Sequence, residues 1–222
     1  RVPGRGYAAA HHPVWGIHIY RTDDEGQSWA PLAEVPRHGR DDQDPDSLRM
    51  IWSLAPGPAE EPDRLYAGIE PPGIFTSNDA GQTWQGFDAF NGHPDRTRWS
   101  PAKGGLAVHS VQVDLRRPGR LFAAMSAGGI YRSDDAGISW QACNKGIRAP
   151  YLPEHDAHCG HCVHRLLLHP QKPGRAYQQA HHGIYVTDDD GANWREISAG
   201  LPSDFGYALA TDPVNPDTIY CV

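Results

Sequence analysis

Ten consecutive residues, His155-Asp156-Ala157-His158-Cys159-Gly160-His161-Cys162-Val163-His164, hold four imidazoles and two thiols. Imidazole nitrogen and thiolate sulfur are the donors that suit zinc and other borderline-soft divalent ions. His158, Cys159, His161 and Cys162 are therefore candidate ligands of a zinc-like metal, the one cofactor the residue types suggest. A single Cys-x-x-Cys with no second pair is also what a His-rich polar loop carries, so a loop without a metal is the competing reading. The remaining thiols, Cys143 and Cys221, stand in strand-like runs and read as small buried apolar residues.

Carboxylates offer a second chemistry. Glycosidases need two of them facing each other across a cleft, roughly 5 to 10 Å apart, with aromatic rings to stack on sugars. Asp41, Asp42, Asp44, Asp46, Asp88, Asp95, Glu154 and Asp156 fall in irregular segments, and Trp15, Phe90, Trp99 and Tyr151 could supply the rings. No spacing rule singles out one pair, and Asp is an ordinary loop residue.

The elements that must carry these groups follow from an eight-residue pattern that occurs four times. Its copies begin at Thr22, Ser77, Ser133 and Thr187, and each reads hydroxyl, any, Asp, any, Gly, two more, Trp. In such a hairpin Asp24, Asp79, Asp135 and Asp189 cap backbone N–H groups, the Gly takes a positive φ, and the Trp re-enters the next strand as an apolar anchor. Trp29, Trp84, Trp140 and Trp194 recur at intervals of 55, 56 and 54 residues, which marks a repeat architecture. Each repeat reads as four short strands. In the last full one these are Val163 to Leu168, Arg175 to Gln179, Gly183 to Val186 and Trp194 to Ile197.

The pattern resembles the Asp-box, or BNR, repeat of sialidases, sortilin-type receptors, oligoxyloglucan-cleaving glycosidases and YVTN/BNR-like bacterial proteins. The resemblance implies an all-β fold, a β-propeller of four-stranded antiparallel blades joined by Asp-box hairpins, with the boxes away from the ligand face. Repeats of this length are consistent with blades. A single propeller domain over 1–222 is expected, with partial blades at 1–36 and 205–222 and full ones near 47–90, 106–145 and 162–200. Beginning and ending in mid-blade points to part of a longer propeller. A four-bladed ring closed by the end strands is the rival.

In an up-and-down blade the short turns and Asp-boxes share one rim, and the long connections share the other, where propellers bind ligands. Eleven of the thirteen histidines map to that second rim or beside it. His109 and His164 are expected at equivalent places, where Leu48 and Tyr207 stand in other repeats. The ligand-face candidates are thus His109, His164, His181, His182, Asp95, Trp99 and Tyr151.

The net charge of −7 comes without a basic stripe, which argues against nucleic-acid or anionic-membrane partners, and no apolar run reaches the roughly 18 residues of a membrane helix. Four cysteines in 222 residues favour a reducing compartment over a disulfide scaffold, a mild preference for the cytoplasm that leaves localisation open. The functional expectation is a non-enzymatic propeller that binds a carbohydrate or protein. The alternative is a polysaccharide hydrolase using paired rim carboxylates. A sialidase is disfavoured because the Arg-Ile-Pro motif of that group does not occur.

Overall fold

The computed structural model describes residues 2–39, 47–101, 105–154 and 157–222. Successive stretches of chain fold into separate antiparallel sheets in strict sequence order. The first has three strands, β1 (Gly6–His12), β2 (Gly16–Thr22) and β3 (Ala30–Pro31). Three four-stranded sheets follow. They are β4 (Met50–Pro56) to β7 (Gln85–Gly86) through β5 (Leu65–Glu70) and β6 (Gly73–Ser77), then β8 (Val108–Val113), β9 (Leu121–Met125), β10 (Gly129–Ser133) and β11 (Gln141–Ala142), then β12 (Val163–Leu168), β13 (Ala176–Ala180), β14 (Ile184–Thr187) and β15 (Arg195–Glu196). A two-stranded sheet, β16 (Leu209–Thr211) and β17 (Ile219–Cys221), comes last. These are propeller blades, all-β as the repeat implies.

The first strands of neighbouring blades, β4, β8, β12 and β16, lie side by side and form the inner wall. The second strands are buried along their whole length in β9 and β13, and in β5 at every residue but Glu70. Sheets packed on both faces require apolar runs rather than alternation. They also require small residues where backbones close up: a Cβ on Gly68 would sit 2.3 Å from the carbonyl oxygen of Val108 on β8.

The Asp-box hairpins are closed by local hydrogen bonds, identical in scheme in all four copies. In the third, Ser133 Oγ donates to Asp135 Oδ1, Gly137 N donates to Ser133 Oγ, and Ser139 reaches both carboxylate oxygens through its N–H (2.9 Å) and hydroxyl (2.6 Å). The residue before each Gly also takes a positive φ, near 60° at Glu25, Ala80, Ala136 and Asp190. Donors crowding a carboxylate favour its charged form. Asp24 is held down at about 2, chiefly by the Ser28 hydroxyl and then Thr22, and Asp79 at about 2, chiefly by Thr83. An arginine just ahead of β1, β5, β9 and β13 adds a repeated tie on this rim: Arg5 to Asp23, Arg64 to Asn78, Arg120 to Asp134 and Arg175 to Asp188.

The four tryptophans occupy equivalent places but not equivalent surroundings. Trp140 (8% exposed) packs against Phe87 and Phe90 of the preceding repeat, and Trp194 (5%) donates its indole N–H to Cys143 O. Trp84 joins Ile19 and Leu32 of the first sheet. Trp29 is 45% exposed, which corrects its expected role as a buried apolar anchor. Trp84, Trp140 and Trp194 each pack on the sheet before their own, and among the described residues no sheet packs on Trp29 in that way.

Three further expectations change. Asp88 and Asp95, read as lying in irregular segments, fall in a one-turn helix, α1 (Asp88–Asn91), and a 3-10 helix, Pro94–Arg98. His11 and His12, two of the histidines assigned to the long-loop rim, lie on β1 itself. Among the described residues the end strands do not pair with the first blade to close a four-bladed ring, since β16 and β17 pair with each other alone.

Candidate functional site

Three of the four inner strands, β4, β8 and β12, break their ladders near the start. The register slips between Ile51 and Ser53, between Val108 and Ser110, and between Val163 and Arg165. A bulge leaves one residue unpaired and re-aims its side chain. The residues so released are Trp52, His109 and His164, and Tyr207 stands at the same place, two before Leu209, which pairs with Cys221 as Leu166 pairs with Gln178. The position equivalent to the two histidines in the first full repeat is therefore Trp52, not Leu48.

These four side chains line one cavity of about 860 Å3 on the inner wall at the long-loop end, together with Cys162, His181 and Phe205. Of the predicted ligand-face residues, His109, His164 and His181 are brought together here. His109 is braced at both nitrogens, Nε2 by the carbonyl of Val163 and Nδ1 by Ser110 Oγ. Burial pushes its imidazole down to about 4, so it is neutral at ordinary pH. His164 donates Nδ1–H to Gly206 O (2.7 Å) and stacks on Tyr207 at 4.5 Å. Burial lowers its pKa too, and that of His181, where the neighbouring His182 adds to the effect. Cys162 Sγ lies 3.5 Å from His164 Nε2, and burial raises its thiol.

Tyr151 and His182 flank this group. The Tyr151 hydroxyl accepts from Cys162 N (2.6 Å), and its ring meets both His181 and His182. Phe205, which the sequence reading passed over, packs edge-on to His164 and His181.

The four proposed metal ligands separate into different surroundings. His158 and Cys159 gather with Asp95, Cys162 gathers with His164 and His181, and His161 is buried with Nε2 on Ala157 O (2.6 Å). Gly160, at φ 91°, turns the chain between the two groups. Asp95 and Trp99 lie away from the large cavity. Trp99 is 6% exposed and donates to Tyr131 Oη, which donates in turn to Asp95 Oδ2. Burial works to raise Asp95, but bonds from Tyr131 and His158 outweigh it and hold the carboxyl below its usual value. Phe90 is fully buried beside them. Neither Trp99 nor Phe90 is presented for stacking on a sugar, because both fill the core between two blades. Trp15 is exposed, on the first blade. Asp88 and Glu154 are exposed, and Asp41, Asp42, Asp44, Asp46 and Asp156 lie outside the described residues.

The BNR/Asp-box repeat family matches residues 131–142, the third hairpin with the strands on either side of it. The chain carries Asp-box propeller blades. An oligoxyloglucan-reducing end-specific xyloglucanase of Emericella nidulans is 31% identical over 81 residues, 36% of this chain and 9% of that protein. A probable enzyme of the same description from Neosartorya fischeri is 28% identical over 127 residues, 55% of this chain and 14% of the relative. The blades span only about a tenth of the length of these curated relatives. Among solved structures, an ancestral GH74 enzyme superposes with a TM-score of 0.64 at 14% identity, over 99% of this chain and 28% of that one, a likeness of fold alone. No helix among the described residues is long and apolar enough to cross a membrane.

Proposed function

We propose that these Asp-box blades serve as a binding module whose ligand seat is the 860 Å3 cavity on the inner wall. The composition of its lining supports this reading. Trp52, Phe205 and Tyr207 give flat apolar surfaces, His164 and His181 give polar edges, and among the described residues no carboxylate lines it. Aromatic faces with a few convergent polar groups are what a sugar ring or an aromatic-bearing peptide docks on, whereas a glycosidase needs two opposed carboxylates.

The hydrolase reading draws on the matches to xyloglucan-cleaving enzymes, whose activity belongs to proteins far longer than this chain. Calorimetric titration with xyloglucan oligosaccharides and with a peptide array, run beside a reducing-sugar assay, separates the two. Binding without turnover, weakened more than about tenfold (1.4 kcal/mol) by Trp52→Ala, is the expected outcome. Trp52 is 44% exposed, so its loss leaves folding intact. Turnover abolished by a single Asp→Asn change would overturn the reading.

A further inference from the structure

The wall of the cavity holds a donor set that sugar or peptide recognition does not require. We propose that Cys162, His164 and His181 form a three-ligand site for a zinc-like divalent ion, with the fourth position open to the cavity. The inference rests on the reading of that cavity as the ligand face and adds what the face contains.

Three observations carry it. One donor atom from each residue lies within 4.8 Å of the other two. The Cys162 Sγ to His164 Nε2 separation is 3.5 Å, and two ligands at 2.3 and 2.0–2.1 Å from a tetrahedral centre stand about 3.5 Å apart. The His164 tautomer is already chosen: Nδ1–H donates to Gly206 O, which leaves the Nε2 lone pair facing the thiol, and stacking on Tyr207 fixes the ring plane. A backbone carbonyl holding the far nitrogen is the usual outer support of a metal-bound imidazole. His181 completes the set. Among the described residues neither of its ring nitrogens has a hydrogen-bond partner, and its backbone N–H bonded to Cys162 O (2.8 Å) ties the two ligand-bearing segments together.

The nearby groups do not compete. His109 has both nitrogens engaged. In the Asp95, His158 and Cys159 group the donors are spent on protein: Asp95 accepts from Tyr131 and His158, and His158 Nδ1 accepts from the Arg98 guanidinium at 3.0 Å, a cation that opposes a second one.

Binding displaces one proton. The ion bonds to Cys162 sulfur as the thiol proton leaves to solvent, while both imidazoles enter neutral. A divalent ion so held keeps one positive charge, and its open position takes water or an anionic oxygen of the ligand.

The test uses the untagged protein titrated with cobalt(II), which reports thiolate ligation by a charge-transfer band in the near ultraviolet. One cobalt per chain, with the band and one proton released, is expected. Cys162→Ser removes the band, His181→Ala weakens binding more than about tenfold, the loss that even outer partners of a ligand cause, and Cys159→Ser changes nothing. His181→Ala keeps the test decisive should Cys162→Ser fail to fold. No cobalt uptake, a band that survives Cys162→Ser, binding unchanged in His181→Ala, or a band lost in Cys159→Ser would each overturn the proposal. The titration contains no glycan or peptide, so metal uptake without ligand binding retains this inference and loses the binding one, and ligand binding without metal does the reverse.

Discussion

Trp140→Ala and Trp29→Ala remove the same side chain from the same place in two repeats and should cost different amounts. A tryptophan buries roughly 150–250 Å2, worth about 4–6 kcal/mol at about 25 cal/mol per Å2. Trp140 is 8% exposed and packs edge-on to Phe87 at 6.1 Å and Phe90 at 5.1 Å, so truncation opens a hole between two blades. Its cost should lie near 3–5 kcal/mol, the usual range for deleting a core aromatic. Trp29 is 45% exposed, which roughly halves the burial, and with solvent on one side no cavity is left behind. About 1–2 kcal/mol is expected there. At about 2–4 °C per kcal/mol for a chain of this size, Trp140→Ala should melt roughly 6–20 °C lower and Trp29→Ala only about 2–8 °C lower. Urea unfolding followed by far-ultraviolet circular dichroism gives the free energies directly. Equal losses in the two variants, or a loss under 1 kcal/mol for Trp140→Ala, would refute the claim that the preceding blade supplies the binding surface for each tryptophan.

The Asp-box carboxylates predict an acid limb of stability. Asp24 and Asp79 titrate at about 2 when folded, below their ordinary value of 3.8, so their contribution is complete above about pH 4 and is lost as pH falls toward 2. Melting temperatures from pH 2 to 6 should show that fall, and Asp79→Asn should flatten it. His109, lowered to about 4 by burial, works in the same direction over a higher window, with stability lost as pH falls from about 6.5 toward 4. Its ring resonances in a two-dimensional NMR titration should move with a midpoint near 4, and a midpoint above 6 would contradict the burial. Gly68→Ala should destabilise far more than Gly16→Ala, since the new Cβ would meet Val108 O at 2.3 Å while at Gly16 nothing lies within 4 Å and the cost is only the strain of a side chain at φ 81°. Comparable denaturation midpoints for the two would count against the close approach of β5 and β8.

The parts of the fold legible in the sequence are those fixed within a few residues. Ser133 to Ser139 closes on itself through hydrogen bonds of its own hydroxyls, carboxylate and backbone, so the motif that names the fold needs no distant partner. The exposure of Trp29 was not legible, because it depends on what packs from the preceding sheet and not on Trp29 or its neighbours. Trp52 was misplaced for a different reason. The bulge after Ile51 adds a residue to the ladder, and a pattern with period two loses phase at such a step. The split of His158 and Cys159 from Cys162 hangs on the turn at Gly160 and on the bridge between Gly128 and His161, a contact across 33 positions that spacing does not reveal. Aromatic residues in the long connection read as presented surface, yet Trp99 and Phe90 fill the gap between blades, since the connection folds inward as α1 and the turn after it.

A bulged residue makes no ladder hydrogen bonds, and this frees its identity from the strand that bears it. Trp52, His109 and His164 occupy one such address on three consecutive blades, with Tyr207 at the equivalent place on the next, and they differ from one another while the pairing around them does not. The inner wall therefore behaves as a row of interchangeable seats. New recognition can be installed one seat at a time, by exchanging aromatic for imidazole, without retuning the sheets that hold it.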